Sequence, residues 1–184
     1  TLIEQMVASH NSVEGAGEIH YLSEIIKNNF LEGIKFNKSK ILDEIKNPEN
    51  LIFKKYNNLI SFHNFKSNFV TDKAPQNFMW IGFIKIFFPN SKIIHCFRNP
   101  KDNCLSIFKN HFSSPTMSWA YDQKNIAEQY ILYSRLMDYW KSEFKDDIFD
   151  ANYEKIINSP EEEVKKIISF CDLTWDPECL NFYK

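Results

Sequence analysis

An arginine and a serine stand eight residues apart in the stretch "SKIIHCFRNPKDNCLSIF", which covers residues 91–108. The guanidinium of Arg98 is suited to bind a phosphate through two parallel hydrogen bonds. Ser106 follows Asn99 by seven residues, which is about two turns of an α-helix, so both share one helix face. The spacing therefore predicts an arginine and a serine hydroxyl that converge on one phosphate. It equally allows an arginine paired with a neighbouring carboxylate and a serine that faces solvent.

The elements around this pair are predicted from the same stretch. Residues 93–97 form an almost continuous apolar run, which is typical of a parallel strand buried on both faces. Asn99 is a favourable N-cap and Pro100 suits the first position of a helix that runs to about Asn110. A helix that starts at the carboxyl end of a parallel strand presents unpaired backbone N–H groups. The stretch thus predicts a strand, a tight turn and a helix start that binds an anion.

The rest of the chain alternates between apolar strands and amphipathic helices. A loop with Gly15 and Gly17 separates the first two helices, and residues 31–62 are expected to form short helices. The other predicted strands are 68–71 and 148–153, and the other predicted helices are 1–9, 18–30, 76–88, 122–144 and 160–171. This alternation predicts an α/β fold of three layers, with a central parallel sheet and crossover helices.

Composition limits the class of protein. The 184 residues suit one domain, and 22 basic against 24 acidic residues argue against a nucleic-acid-binding protein. No apolar run reaches the roughly 18 residues of a membrane-spanning helix. The four cysteines form no CxxC pair and no zinc-ligand spacing. Reduced thiols of this kind fit a cytoplasmic protein, which is the location that we expect.

Several longer stretches resemble one known family. "FRNPKDNCLS" resembles the 3′-phosphate-binding motif of sulfotransferases that use 3′-phosphoadenosine 5′-phosphosulfate (PAPS). "TLIEQMVASHNSVEGAGE", "TDKAPQNFMWIGFIKIFFPNSKIIHCFRNPKDN" and "ANYEKIINSPEEEVKKIISFCDLTWDP" resemble further blocks of its bacterial branch. That branch is related to tyrosylprotein sulfotransferases and is often fused to tetratricopeptide repeats. The resemblance implies a P-loop nucleotide-binding-like sulfotransferase fold, with residues 1–184 as a partial domain truncated at both ends.

The resemblance also implies which residues hold the nucleotide. Arg98 and Ser106 match the pair that binds the 3′-phosphate, and Tyr153 matches a tyrosine beside the adenine. Thr1 matches the end of the loop that binds the 5′-phosphosulfate. Asn110 stands where tyrosylprotein sulfotransferases carry a second arginine, so that contact is not expected here.

Sulfuryl transfer needs a cation at the leaving oxygen and a base for the acceptor proton, and it needs no metal. The resemblance assigns these roles to Lys73 as the cation and to Glu18, in a Gly-Glu step, as the base. Asp72 is a weaker candidate base, since an aspartate beside Lys73 can simply orient it.

Two other interpretations are considered beside the PAPS-dependent sulfotransferase. A P-loop kinase for a small molecule would need a GxxxxGK[ST] loop and magnesium carboxylates. A degenerate, non-catalytic interaction module would not need Arg98, Ser106, Lys73 and Glu18, and the presence of all four argues against it. The sequence does not distinguish a sugar, a peptide tyrosine, a lipid or a small alcohol as the acceptor.

Overall fold

The computed structural model of the protein describes residues 1–183. Its helices and strands alternate, with four short 3-10 turns at Pro75–Trp80, Pro115–Tyr121, Lys145–Asp147 and Pro177–Leu180. The strands are β1 (Val13–Gly15), β2 (Leu31–Glu32), β3 (Lys35–Phe36), β4 (Phe69–Thr71), β5 (Ile93–Phe97) and β6 (Ile148–Asn152). The helices are α1 (Leu2–Ala8), α2 (Tyr21–Phe30), α3 (Lys38–Lys46), α4 (Leu51–Ser61), α5 (Ile81–Phe87), α6 (Pro100–Lys109), α7 (Gln123–Glu143), α8 (Tyr153–Asn158) and α9 (Pro160–Phe170).

The chain forms two compact units. The first combines Thr1–Lys92 with Val164–Lys184, and the second comprises Ile93–Glu163. In the first unit β1 and β4 pair in parallel, whereas β2 and β3 form a small antiparallel hairpin. Its core lies around α2, α4 and α5, where the ring of Phe30 stacks on those of Phe83 and Phe87. The other buried members of this core are Leu22, Ile25, Ile26, Ile52 and Trp80.

The second unit is built on one parallel strand pair. β5 and β6 are aligned along their whole length, from Ile93 opposite Ile148 to Phe97 opposite Asn152. The carboxyl ends of both strands therefore lie at the same edge. α6 leaves that edge after β5, α8 leaves it after β6, and α6 packs against α7.

The α/β fold class is confirmed, with parallel strands joined through helices. In the described residues these strands form separate parallel pairs, β1 with β4 and β5 with β6. Within residues 1–183, no helix combines the length and the apolar character that crossing a membrane requires.

Four details of the sequence-based expectation are wrong. β5 is not buried on both faces, because its residues are half-buried and Cys96 is exposed. Residues 76–88 do not form one helix, because this segment begins with a 3-10 turn. The Asp72 carboxylate holds that turn by accepting hydrogen bonds from the Ala74 N–H and the Asn77 amide. The segment that contains Gly15 is a strand instead of a loop, and residues 31–36 form a hairpin before the expected helices begin.

Candidate active site

Glu18 and Lys73 lie together at the carboxyl edge of the first parallel pair. Beyond the paired residues of β1 and β4, the Ala16 N–H donates to the Thr71 carbonyl and the Lys73 N–H donates to the Gly17 carbonyl, each at 2.9 Å. These bonds continue the parallel register past the ends of both strands. The chain positions that carry Glu18 and Lys73 therefore leave the strand pair side by side.

The two glycines before Glu18 have different roles. A Cβ on Gly15 would lie 3.2 Å from the Cβ of Ala8 in α1, so glycine allows the helix to approach β1 closely. Gly17 has a φ of 68°, in the left-handed region that a side chain disfavours. The resulting turn takes Glu18 out of the strand direction and toward Lys73.

Glu18 and Lys73 form an ion pair. The Lys73 Nζ donates to the Glu18 Oε1 at 2.5 Å, and the side chains are 23% and 53% exposed. The hydrogen bond from Lys73 lowers the pKa of the Glu18 carboxyl below its ordinary value of 4.5. Glu18 is therefore a carboxylate at neutral pH, as a proton acceptor must be, and Lys73 brings a cation to the same position.

Asp72 belongs to a different set of contacts, although it is adjacent to Lys73 in sequence. Its carboxylate accepts hydrogen bonds from the Tyr56 hydroxyl at 2.8 Å and from the Asn77 amide at 2.9 Å. Burial raises the pKa of Asp72. These contacts fix the start of the 3-10 turn and make Asp72 a poor alternative to Glu18 as a base.

Thr1 occupies the N-cap position of α1 in the first unit. Its carbonyl accepts from the Gln5 N–H at 2.9 Å, whereas its hydroxyl makes no capping hydrogen bond. The residue is exposed. Its assignment to a 5′-phosphosulfate loop stays a prediction.

Arg98 and Ser106 lie in the second unit, on consecutive turns of one helix face. The Arg98 guanidinium folds back over the start of α6 and donates from Nη2 to the Asp102 carbonyl at 2.8 Å. Ser106 lies one turn beyond Asp102, which places it on the same face. Arg98 makes no ion pair with the residues that the structure describes, and the Ser106 hydroxyl makes no hydrogen bond with them. The charge of Arg98 nevertheless adds to the bond from the Asn99 N–H in lowering the pKa of the Glu154 carboxyl, so these contacts are compatible both with a phosphate and with a carboxylate neighbour.

Tyr153 lies at the same strand edge as Arg98. Because Phe97 pairs with Asn152, the next residues of the two chains, Arg98 and Tyr153, leave the sheet at equivalent positions. A hydrogen bond of 2.7 Å from the Asn99 N–H to the Glu154 Oε1 joins the two turns. The structure therefore brings Arg98 and Tyr153 to one strand edge, while the third candidate of this unit, Ser106, lies further along α6.

Most of the expected free backbone N–H groups at the start of α6 are already hydrogen-bonded or missing, and only that of Asp102 has no partner among the described residues. The Asn99 N–H is bound by the Glu154 carboxylate, and the Lys101 N–H is bound by the Asn99 side chain at 2.9 Å. Pro100 has no N–H group. The pKa of Glu154 is lowered mainly by its bond to the Asn99 N–H. An anion at this edge would find one free backbone donor, the Asp102 N–H, beside the Arg98 and Ser106 side chains, so the helix start offers fewer donors than the sequence predicts.

Comparison with known proteins places the chain in a family. The family model described as "Sulfotransferase family" matches residues 1–177. The chain belongs to the sulfotransferase family. Its fold agrees with a solved structure, the "Sulfotransferase Domain from the Curacin Biosynthetic Pathway", at a TM-score of 0.62 and 16% identity, covering 100% of this chain and 73% of that one.

Two curated proteins are also similar to this sulfotransferase-family chain. An uncharacterized protein of Aquifex aeolicus (strain VF5) is 28% identical over 100% of this chain, which spans 25% of that protein. A protein of Caenorhabditis briggsae described as "Putative protein-tyrosine sulfotransferase" is 24% identical over 61% of this chain and 40% of its own length. The chain thus spans well under two thirds of the length of both relatives.

A hydrogen-bonded network supports the β5–β6 pair of this sulfotransferase-family chain, beside the edge that carries Arg98 and Tyr153. His95, three residues before Arg98, faces Asp150 across the β5–β6 pair, with Nδ1 donating to the Asp150 Oδ1 at 2.6 Å. The Tyr133 hydroxyl of α7 donates to the His95 Nε2 at 2.5 Å, and the Lys141 Nζ donates to the Asp150 Oδ2 at 2.7 Å. The network ties α7 to both strands.

We expect this network to make the second unit less stable in mild acid. Burial lowers the pKa of His95 below its ordinary value of 6.5. The folded state therefore favours the neutral form of His95. The free energy of unfolding that this preference contributes is present above pH 6.5 and is lost as the pH falls through the lowered pKa. Urea denaturation followed at pH 7.5 and 5 is expected to show a smaller pH dependence in His95→Asn than in the wild type. His111→Asn, at an exposed histidine of the same unit, is the control, and equal pH dependence in wild type and His95→Asn would contradict the expectation.

Proposed function

We propose that the protein transfers a sulfuryl group from PAPS to an acceptor hydroxyl or amine. The observation that carries the proposal is the ion pair between Glu18 and Lys73, at the carboxyl edge of a parallel strand pair. A base and a cation side by side are the two groups that sulfuryl transfer requires. Membership of the sulfotransferase family supports the reaction class, and PAPS is the donor that such chemistry uses in the family that the sequence resembles.

Each side chain of the pair has a separate part in the reaction. The Glu18 carboxylate accepts the proton of the acceptor hydroxyl, which makes its oxygen a better nucleophile. The Lys73 ammonium stabilises the negative charge that grows on the oxygen leaving the sulfur. The Lys73 Nζ lies 2.5 Å from the Glu18 Oε1. The pair must therefore separate, so that Glu18 reaches the acceptor oxygen and Lys73 reaches the leaving oxygen.

The nucleotide would be held mainly by side chains of the second unit. The Arg98 guanidinium and the Ser106 hydroxyl suit the 3′-phosphate, because the guanidinium reaches the Asp102 carbonyl, one turn before Ser106, and makes no ion pair within residues 1–183. Tyr153 follows β6 at the same edge and suits contact with the adenine ring. Thr1 is proposed for the 5′-phosphosulfate. No group of three or more His, Cys, Asp or Glu residues in the described part of the chain is arranged to hold a metal ion.

The acceptor class is best sought among tyrosine peptides first. The Caenorhabditis briggsae relative is described as a "Putative protein-tyrosine sulfotransferase". The tyrosine side chain carries a phenol hydroxyl, whose proton a carboxylate such as Glu18 can accept during the transfer. A screen with radiolabelled PAPS should therefore start from tyrosine peptides and continue to sugars, lipids and small alcohols. The bacterial origin and the fusion to tetratricopeptide repeats, both implied by the resemblance, belong to the same proposal.

Calorimetric titration with 3′-phosphoadenosine 5′-phosphate tests the donor. Arg98→Ala is expected to weaken binding by about 1.5–3 kcal/mol, or roughly ten- to hundredfold, because one charge-assisted contact to phosphate is lost. Arg135→Ala is the matched control, since Arg135 is an exposed arginine of the same unit and should leave affinity unchanged. Equal affinity of Arg98→Ala and the wild type would remove Arg98 from the site, and no binding by the wild type would remove PAPS as the donor.

A further inference from the structure

Glu4 is a second carboxylate beside Lys73. It lies in the first turn of α1, its side chain is only 11% exposed, and its Oε2 is 3.9 Å from the Lys73 Nζ. The other oxygen, Oε1, accepts hydrogen bonds from the Gly17 N–H at 2.9 Å and from the Thr71 hydroxyl at 3.3 Å. Lys73 therefore lies between two carboxylates, one on α1 and one after β1.

The contacts of Glu4 hold its carboxylate in a fixed orientation. A buried carboxylate is costly unless it is hydrogen-bonded or paired with a cation. The two donors on Oε1 come from the ends of β1 and β4, the same strands that carry Glu18 and Lys73. They leave Oε2 directed at the Lys73 ammonium. Gly15 allows α1, which carries Glu4, to approach β1, because a Cβ there would lie 3.2 Å from the Cβ of Ala8.

The proposed reaction creates a need for such a group. Glu18 acts as a base only after it has released Lys73 and turned to the acceptor hydroxyl. Without another anion, Lys73 would then lose the contact that orients it, since its four-carbon side chain is flexible. Glu18 is 53% exposed and its carboxylate is bound by Lys73, whereas the Glu4 carboxylate is 11% exposed and also bound by two donors other than Lys73.

We propose that Glu4 is a positioning residue that holds the Lys73 ammonium in place while Glu18 is engaged with the acceptor. This inference rests on the proposed function. In the reaction, the acceptor oxygen forms a bond to sulfur while the bond from sulfur to the 5′-phosphate oxygen breaks, and the electron pair stays on that phosphate. The acceptor proton goes to Glu18. Glu4 and Lys73 neither gain nor lose a proton, so the role of Glu4 is geometric.

The mobility of the Lys73 ammonium group tests this role without any substrate. NMR of the intact protein with ¹⁵N-labelled lysine measures the order of each Nζ, and Lys73→Arg identifies the Lys73 signal. In Glu18→Ala, which removes both side-chain oxygens at position 18, the Lys73 ammonium should remain ordered, because Glu4 still holds it. In the double variant Glu4→Gln/Glu18→Ala it should become as mobile as the ammonium of the exposed Lys101. Glutamine keeps an oxygen for the two donors of Glu4, so the strand ends stay bridged.

Glu14→Gln is the matched control. Glu14 lies in β1 and its carboxylate accepts from two backbone N–H groups, those of Lys66 and Ser67, but it does not contact Lys73. Its substitution should leave the Lys73 ammonium as ordered as in the wild type. A Lys73 ammonium that is already as mobile as that of Lys101 in Glu18→Ala alone would overturn the inference, and this result does not depend on the folding of any Glu4 variant.

Kinetics separate this inference from the proposed function. Glu4→Gln is expected to lower kcat roughly ten- to hundredfold, because a misplaced catalytic group costs about that much, with KM for the nucleotide changed less than about twofold. Wild-type kcat in Glu4→Gln would overturn the positioning role and leave the sulfotransferase activity standing. A wild-type protein that transfers no sulfuryl group from PAPS, with the NMR result as expected, would overturn the function and leave Glu4 as the structural partner of Lys73.

Discussion

Glu18→Gln is expected to lower turnover by about 10²–10⁴-fold, the range that a positioned general base contributes. Glutamine has nearly the same shape and keeps one oxygen that accepts a hydrogen bond from Lys73, but it cannot take the acceptor proton. Affinity for 3′-phosphoadenosine 5′-phosphate should stay close to the wild-type value, because the side chains proposed to bind the nucleotide are Arg98, Ser106 and Tyr153. Initial rates with radiolabelled PAPS, together with calorimetry, measure both quantities.

Glu14→Gln is the control for this experiment as well, since it replaces a carboxylate of the preceding strand that has no contact with Lys73. Near-normal turnover in Glu18→Gln would exclude Glu18 as the base. Asp72 is an unsuitable replacement, because its carboxylate is bound by Tyr56 and Asn77. The base would then have to be sought elsewhere.

The pH dependence of the wild type gives an independent check on Glu18. Because the bond from Lys73 lowers the pKa of Glu18 below 4.5 in the free protein, the carboxylate persists in mild acid. The acidic limb of kcat/KM reports the free enzyme, so kcat/KM is expected to fall only as the pH drops below about 4.5. The limb should be measured under conditions in which circular dichroism shows that the protein stays folded.

The second strand pair and its helix were predictable because their signals are local. The apolar run 93–97 indicates a strand, and Asn99 followed by Pro100 marks the start of a helix; both elements are present, with the Asn99 side chain capping α6. The depth of burial was not predictable in this way. His95 interrupts the apolar run, and its ring nitrogens are hydrogen-bonded by Asp150 and Tyr133, which lie 55 and 38 residues away in the chain.

The first strand pair shows the opposite case. β1 has three residues, one of them Gly15, and a segment so short and glycine-containing carries no periodic signal. Its strand conformation comes from pairing with β4, more than fifty residues later in the chain. The approach of Glu18 to Lys73 depends on that pairing, and only the resemblance to a family indicated it. The contact of Glu4 with Lys73 had no sequence signal, because an acidic residue in a first helical turn is ordinarily explained by the helix dipole.

Lys73→Ala is expected to lower turnover by roughly 10²–10³-fold, the loss found when one group that stabilises developing negative charge is removed. The reason differs from that for Glu18, because Lys73 acts on the oxygen that leaves the sulfur. A sulfuryl donor with a better leaving group, such as an aryl sulfate, needs less of this stabilisation. Such a donor should therefore restore part of the activity of Lys73→Ala and much less of that of Glu18→Gln, whose defect lies at the nucleophile.

Lys73→Ala should also raise the pKa of the Glu18 carboxyl relative to the wild type. The hydrogen bond from Lys73 is the largest cause of the lowered pKa of Glu18. Without it, the pKa should return toward 4.5, so the acidic limb of kcat/KM should move to higher pH in the variant than in the wild type. Lys101→Ala, at an exposed lysine of the second unit, should leave the limb in place. An acidic limb that does not move in Lys73→Ala would show that the ion pair does not control the charge of Glu18 in the free protein. Equal restoration of activity in Lys73→Ala and Glu18→Gln by the aryl sulfate donor would show that Lys73 does not act on the leaving oxygen.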